Sequence, residues 1–168
     1  MQRREEERRR EARRPPEWQF NGSSRGRSQD RRLGFIASCF DPFVHPGVLL
    51  AMEQATTACN LDAIIIGLHI DPTVERPAKR KPTLTVEERM TCLSCLKFSD
   101  RPAIPYQYEA DLLAILVGYE DQLVCRILGE DYRDQPFTGD ELDIPIFYTK
   151  RRPDWSGTSF HRRLQESL

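Results

Sequence analysis

From residue 33 onward, short apolar runs alternate with stretches in which apolar residues recur every three or four positions. Leu33, Phe35, Ile36 and Ala37 make up the first run, and Ala63-Ile64-Ile65-Ile66-Gly67-Leu68 is the clearest. Runs that are apolar throughout, rather than at every second position, fit strands buried on both faces of a parallel sheet. The pattern predicts strands over 33–39, 62–69, 103–108, 122–128 and 143–148. Val48, Ala51, Met52, Ala55 and Cys59 stand at helical spacing and predict a helix over 46–60. Thr85, followed three residues later by Glu88, carries the signature of a capping box, so another helix opens there. Further helices are expected over 111–117 and 156–166, and a loop with three prolines over 71–82. Alternation of this kind predicts an α/β fold, a parallel five-stranded sheet with helices on both faces. Ligands of such sheets bind beyond the carboxyl ends of the strands, where the strand order reverses.

With 168 residues, 39% of them hydrophobic, the chain suits one α/β domain and leaves little room for a second. Its net charge of −1 conceals a division. Residues 1–32 hold eleven Arg against six Asp and Glu, a net of +5, which leaves −6 for the rest. A charged arm, 1–32, therefore precedes a folded domain, 33–168. The arm has few apolar residues beyond Trp18 and Phe20, too few to order it by burial. Glu5, Glu6 and Glu7 precede Arg8, Arg9 and Arg10 at spacings that support a helix over 1–14, which Pro15 and Pro16 would stop. The arm reads either as a solvated, partly helical tail or as a docking segment for an acidic partner, such as a protein, or nucleic acid. Its carboxylates and lack of interleaved aromatics argue against nucleic acid. No apolar stretch approaches the ~18 residues that cross a membrane, and no apolar signal segment stands at the N-terminus. A cytoplasmic protein is expected. Cys39, Cys59, Cys92, Cys95 and Cys125 all fall in predicted strands or helices and are expected to be reduced, with Cys92 and Cys95 as buried core thiols. Cys92 and Cys95 share one helix face with no second ligand pair, so zinc is not expected there.

Candidate chemistry gathers after the strands. Ser38-Cys39-Phe40-Asp41-Pro42-Phe43-Val44-His45-Pro46-Gly47-Val48 joins the first strand to the first helix. A strand, a turn of small and polar residues and then a helix offer free backbone N–H groups to a phosphate. His45 stands at that helix N-terminus, Pro46 suits the first turn, and Gly47 permits close backbone approach, so His45 is a candidate phosphate contact. Asp41 reads equally as a turn-stabilising residue or a substrate contact. Arg76, Lys79, Arg80 and Lys81 form either a solvated loop or a triphosphate clamp. Gly129 of Gly129-Glu130-Asp131-Tyr132 would admit a ligand to the backbone, and Tyr132 would stack on a base or cap the core. Ser156 and Thr158 open the last helix, as a simple N-cap or as an anion site.

In their order and spacing these segments resemble the cytidylyltransferase-like nucleotidyltransferases, the glycerol-3-phosphate cytidylyltransferase type in particular. The first segment is similar to the family's Gly-Thr-Phe-Asp…His-x-Gly-His signature, with Val48 in place of its second histidine. Met52-Glu53-Gln54-Ala55 falls on the helix that follows, and Arg89 matches the family's helix arginine. Gly129 to Tyr132 resembles its Gly-x-Asp-Tyr/Trp element. Arg151 and the segment Trp155 to His161 resemble the closing Arg…Ile-Ser-Ser/Thr-Thr-x-Ile-Arg, with Gly157 and His161 as departures. The likeness spans about residues 33–165 and implies the Rossmann-like nucleotidyltransferase α/β fold. It implies transfer of CMP from CTP to a phosphorylated alcohol or sugar, with release of pyrophosphate. His45, Arg89 and Lys81 take catalytic roles by this resemblance. Cys39, Phe40, Asp41, Gly47, Lys79, Gly129, Asp131, Arg151, Ser156 and Thr158 would hold the nucleotide. Mg²⁺ would arrive with the triphosphate, with no protein ligand assigned. CTP, a phosphorylated small molecule and a second copy of the chain are the partners so implied. Two alternatives stand beside this reading: a degenerate relative kept as a binding or structural module, which Val48 and His161 favour, and an adenylyltransferase.

Overall fold

A computed structural model of the protein describes residues 30–42, 44–150 and 152–167. The helix expected over 1–14, nearly all of the arm and Arg151 lie outside the described residues. Arg32, at the arm's end, is tied to the domain: its backbone N–H donates to Asp62 Oδ2 (2.8 Å) and its Nη2 to Cys59 O (2.9 Å).

Five strands form one sheet: β1 (Leu33–Ser38), β2 (Ala63–His69), β3 (Ile104–Tyr106), β4 (Leu123–Gly129) and β5 (Ile146–Thr149). Every pair is parallel, in the order β3-β2-β1-β4-β5. The helices are α1 (Pro46–Ala58), α2 (Val86–Ser94), α3 (Glu109–Leu116) and α4 (Gly157–Glu166). The order reverses between β1 and β4, and this Rossmann-like arrangement opens a crevice beyond Ser38 and Gly129.

Strand side chains point alternately to two cores, because successive Cβ atoms leave opposite faces of the pleat. Ile36, Ile64, Ile66, Leu68 and Ile127 face Ala51, Met52 and Ala55 of α1 and Met90 and Leu93 of α2. Leu33, Phe35, Ile65 and Tyr106 face the other side, under Leu112 and Leu116 of α3. All seven residues of β2 are buried, as its unbroken apolar run requires. Each such aliphatic side chain contributes about 1.5–3 kcal/mol by leaving water.

Elements differ from expectation at their ends. β3 pairs only from Ile104 to Tyr106, and α3 begins at Glu109, ahead of the expected 111. β5 starts at Ile146, because Leu142 and Ile144 pack against the second core ahead of the ladder. Cys92 and Cys95 are exposed at the end of α2, not buried; the face of α2 that enters the core is that of Arg89, Met90 and Leu93.

Both arms of the capping box at α2 are formed: Glu88 N–H donates to Thr85 Oγ1 (3.2 Å), and Thr85 N–H to Glu88 Oε2 (2.7 Å). One residue further on, Arg89 is only 2% exposed. Its Nη1 donates to Cys39 O (2.9 Å) and His69 O (2.8 Å), its Nη2 to Ile70 O (2.8 Å), and its Nε to Thr85 O (3.3 Å). The resemblance gave Arg89 a catalytic role, but its guanidinium is committed to carbonyls at the ends of β1 and β2. It positions the strand ends and does not line the crevice.

An R89K substitution keeps the charge yet cannot reach these oxygens as a planar fork. Stranding buried carbonyls costs about 1–3 kcal/mol each, so a loss of about 2–4 kcal/mol is expected in urea denaturation. An R89K protein as stable as the parent would overturn this role.

Candidate functional site

Beyond the strand ends lies a cleft of about 440 Å³, within the range of small-molecule sites. One wall is made where α1 and α4 begin. His45 is the extended N-cap of α1 (φ −70, ψ 157), with Pro46 in the first turn. Ser156 caps α4 reciprocally with Ser159: Ser159 N–H donates to Ser156 Oγ (3.1 Å), and Ser156 N–H to Ser159 Oγ (3.3 Å). A Cβ on Gly47 would stand 2.5 Å from the Trp155 carbonyl oxygen and 3.2 Å from the His45 ring. A Cβ on Gly157 would stand 3.9 Å from His45 Cδ2. The imidazole therefore sits between the first turns of two helices, each presenting the positive end of a dipole. Gly47 was expected to admit a ligand; what it admits is the Trp155 backbone, which brings the two helix ends together.

Charge on the lining is one-sided. Among the described residues it carries Arg76, Lys79, Arg126, Lys150 and Arg152 against Asp41 and Asp131, in a domain whose net charge is −6. Asp41 is further neutralised by its partners. Its Oδ1 accepts from Thr83 N–H (2.7 Å) and Leu84 N–H (2.9 Å), and its Oδ2 lies 3.5 Å from His161 Nε2. Asp41 thus anchors the entry to α2 at long range, a role distinct from both the local turn and the substrate contact expected of it. His161, where the resemblance has a closing arginine, faces Asp41. Burial pushes the Cys39 thiol up to about 11, so it is a neutral wall group at neutral pH rather than a nucleophile.

The structure brings Cys39, Phe40, Asp41, His45, Gly47, Lys79, Gly129, Asp131, Ser156 and Thr158 to this one cleft. Arg89 and Lys81, two of the residues given catalytic roles, are not in its lining, and Lys81 is exposed on the loop. Phe40 has φ 51, an uncommon conformation for a non-glycine residue, and its ring is buried in the first core. A Cβ on Gly129 would collide with the Asp131 carboxylate, so this glycine makes room for its own neighbour. Val48 lines the cleft while packing, half-buried, against the first core. Tyr132 is a half-buried wall residue.

Wall residues missed by sequence reasoning include His69, Tyr106, Arg126, Thr138, Lys150 and Arg152. Arg126 had a signal, since it is the one charge inside the apolar run of β4. It is 4% exposed, lies 4.4 Å over the Phe35 ring, and donates through Nη1 to Phe35 O (3.2 Å) and Ile127 O (2.9 Å). Its Nε donates to Thr138 O (3.3 Å). Burial lowers its pKa to about 10, which leaves it charged at neutral pH. His69 closes β2, 3% exposed and stacked on Tyr106 at 4.8 Å. Its Nε2 lies 3.4 Å from Glu75 Oε2 without an aligned hydrogen bond. Arg76 pairs with Glu109, whose Oε1 also accepts from Thr138 Oγ1 (2.7 Å).

Burial, and then the Arg76 charge, hold the His69 pKa below its ordinary 6.5. The unfolded chain therefore binds the extra proton first as pH falls. Stability from this source is full above pH 6.5 and declines as pH drops below that value. The lowered carboxylates Asp71 and Asp100 act only below their ordinary 3.8. Denaturation midpoints between pH 7.5 and 5.5 should fall for the parent and flatten for H69N; equal slopes would refute the assignment.

Among the described residues, no group of three or more His, Cys, Asp or Glu is placed to hold a metal ion, and no helix is long and apolar enough to cross a membrane. No family model matches the chain, and no curated protein matches it in sequence. Among solved structures, it is similar to the lipopolysaccharide core biosynthesis protein from Thermoplasma volcanium GSS1. The two share a TM-score of 0.52 at 19% identity, over 73% of this chain and 97% of that one. At that identity the likeness is one of fold, the Rossmann-like α/β sheet.

Proposed function

We propose that the protein is a nucleotidyltransferase that takes a nucleoside triphosphate, CTP by preference, and passes its nucleotidyl group to a phosphorylated alcohol or sugar. The observation that carries this reading is the convergence of two helix N-termini on His45 within a cleft rich in Lys and Arg. An acceptor phosphate oxygen attacks the α-phosphorus, the bond to the bridging oxygen breaks, and pyrophosphate leaves. Such a reaction needs alignment and neutralisation of charge more than covalent help. His45 and the first turns of α1 and α4 would face the α-phosphate and its neighbours. Lys79, Lys150 and Arg152 would screen the departing pyrophosphate, and Mg²⁺ would enter bound to the triphosphate as part of the substrate.

A second reading has its own observation. Val48 stands where a second histidine would donate, and His161 faces Asp41 rather than offering an arginine. A binding module without turnover would look the same at these two places.

Pyrophosphate release with MgCTP and MgATP, across glycerol 3-phosphate and other phosphorylated alcohols and sugars, tests the first reading. Activity with CTP and a fall of ~10²–10³ in H45A are expected, the cost of one preorganised donor. CTP binding by calorimetry with no turnover on any acceptor would instead establish the second reading.

V48H should raise turnover if the rest of the site is intact. An unchanged rate, with folding intact by circular dichroism, would count against the placement of His45 at the reacting phosphate.

A further inference from the structure

We propose that the recess floored by Arg126, with His69, Tyr106 and Thr138 on its walls, is a second anion subsite that takes the phosphomonoester group of the acceptor. That the anion belongs to an acceptor rests on the nucleotidyltransfer reading; the presence of an anion there does not.

The strand pattern separates two loci in the one cleft. His45 and the first turn of α1 belong to the sheet face covered by α1 and α2. Arg126 lies over Phe35, which faces the second core together with Tyr106, and His69 stacks on that tyrosine. A polyphosphate at the helix ends would therefore leave the Arg126 side of the cleft unoccupied.

Arg126 is also a buried charge without a counter-charge. Among the described residues no carboxylate stands within salt-bridge distance of it. Glu109, on the same side of the cleft, is taken by Arg76 and Thr138. Three carbonyl dipoles satisfy Nε and Nη1, but none of them carries a full negative charge. A buried ion met only by dipoles is costly, and a phosphate oxygen beside the guanidinium would supply the missing charge. His69, whose pKa burial lowers, lines the recess without adding a second positive charge at neutral pH, its Nε2 facing Glu75. Arg76, at the rim, is already paired with Glu109 and leaves Arg126 as the unanswered charge of the recess.

Nitrogen-15 spectra of the full chain, following Arg126 Nε–Hε and the Gly47 and Gly157 amides, provide the test. Inorganic phosphate added in the presence of saturating MgCTP should shift Arg126 saturably and leave the two glycine amides in place. R126K should weaken phosphate at least tenfold while MgCTP affinity stays within twofold. If R126K does not fold, the titration of the parent decides alone. Phosphate that shifts only Gly47 and Gly157, and is displaced by MgCTP, overturns the subsite and leaves the polyphosphate reading standing. Phosphate that shifts Arg126 when MgCTP shifts nothing keeps the subsite and removes the nucleotide. No shift at any of the three positions overturns the subsite.

Discussion

Where parallel strands end, their last carbonyls lose ladder partners just where the chain must turn toward a helix, and buried carbonyls need donors. In this protein one guanidinium supplies donors at the ends of two strands. Arg89 reaches from α2 to Cys39 O at the end of β1 and to His69 O and Ile70 O at the end of β2. The same two strand ends frame the cleft. Asp41 works from the opposite direction, its carboxylate holding the backbone N–H groups of Thr83 and Leu84 just ahead of α2. A cation from α2 and an anion from the β1 turn thus lock the same corner, and His45, four residues after Asp41, is positioned by that lock.

The cleft then depends on how closely helices can meet. Gly47 lets the first turn of α1 meet the Trp155 carbonyl, and Gly157 stands near the same imidazole. Two partial positive ends in one place favour an anion more than either alone, since each acts within about a turn of its helix. Five Lys and Arg on the lining add full charges to these partial ones. A cationic cleft in an otherwise acidic domain concentrates field lines at its mouth and draws in polyanions from solution.

Much of this was legible in the chain because it obeys strong local rules. The unbroken apolar run of β2, the Thr85–Glu88 box and the helical spacing from Val48 to Cys59 each point to one structure, and each formed within a few residues of expectation. What failed was the sorting of charged and polar residues by depth. Arg89 read as a ligand contact and is instead a buried tie; Cys92 and Cys95 read as core and are exposed. Periodicity places a residue on a helix but, for a short helix with few apolar positions, fixes the buried face poorly. Gly47 and Gly129 read as openings for a ligand, but the atoms they admit belong to Trp155 and Asp131, and such pairings lie beyond any local pattern. Arg126 was visible as a charge in an apolar strand, yet only the fold reveals that its strand borders the reversal in strand order.

Val48 and Arg126 bear on each other. An apolar side chain at residue 48 packs partly into the first core and offers no donor to the helix side of the cleft. On the sheet side, a guanidinium sits where an apolar residue would continue β4 without penalty. Replacing a buried ion by a well-packed apolar residue is often neutral or stabilising, so a fold kept only as scaffold gains nothing from Arg126. Its three carbonyl bonds hold it in place but leave its charge unanswered. The buried guanidinium of β4, unanswered by any carboxylate at salt-bridge distance among the described residues, is the charge that the proposed anion would neutralise.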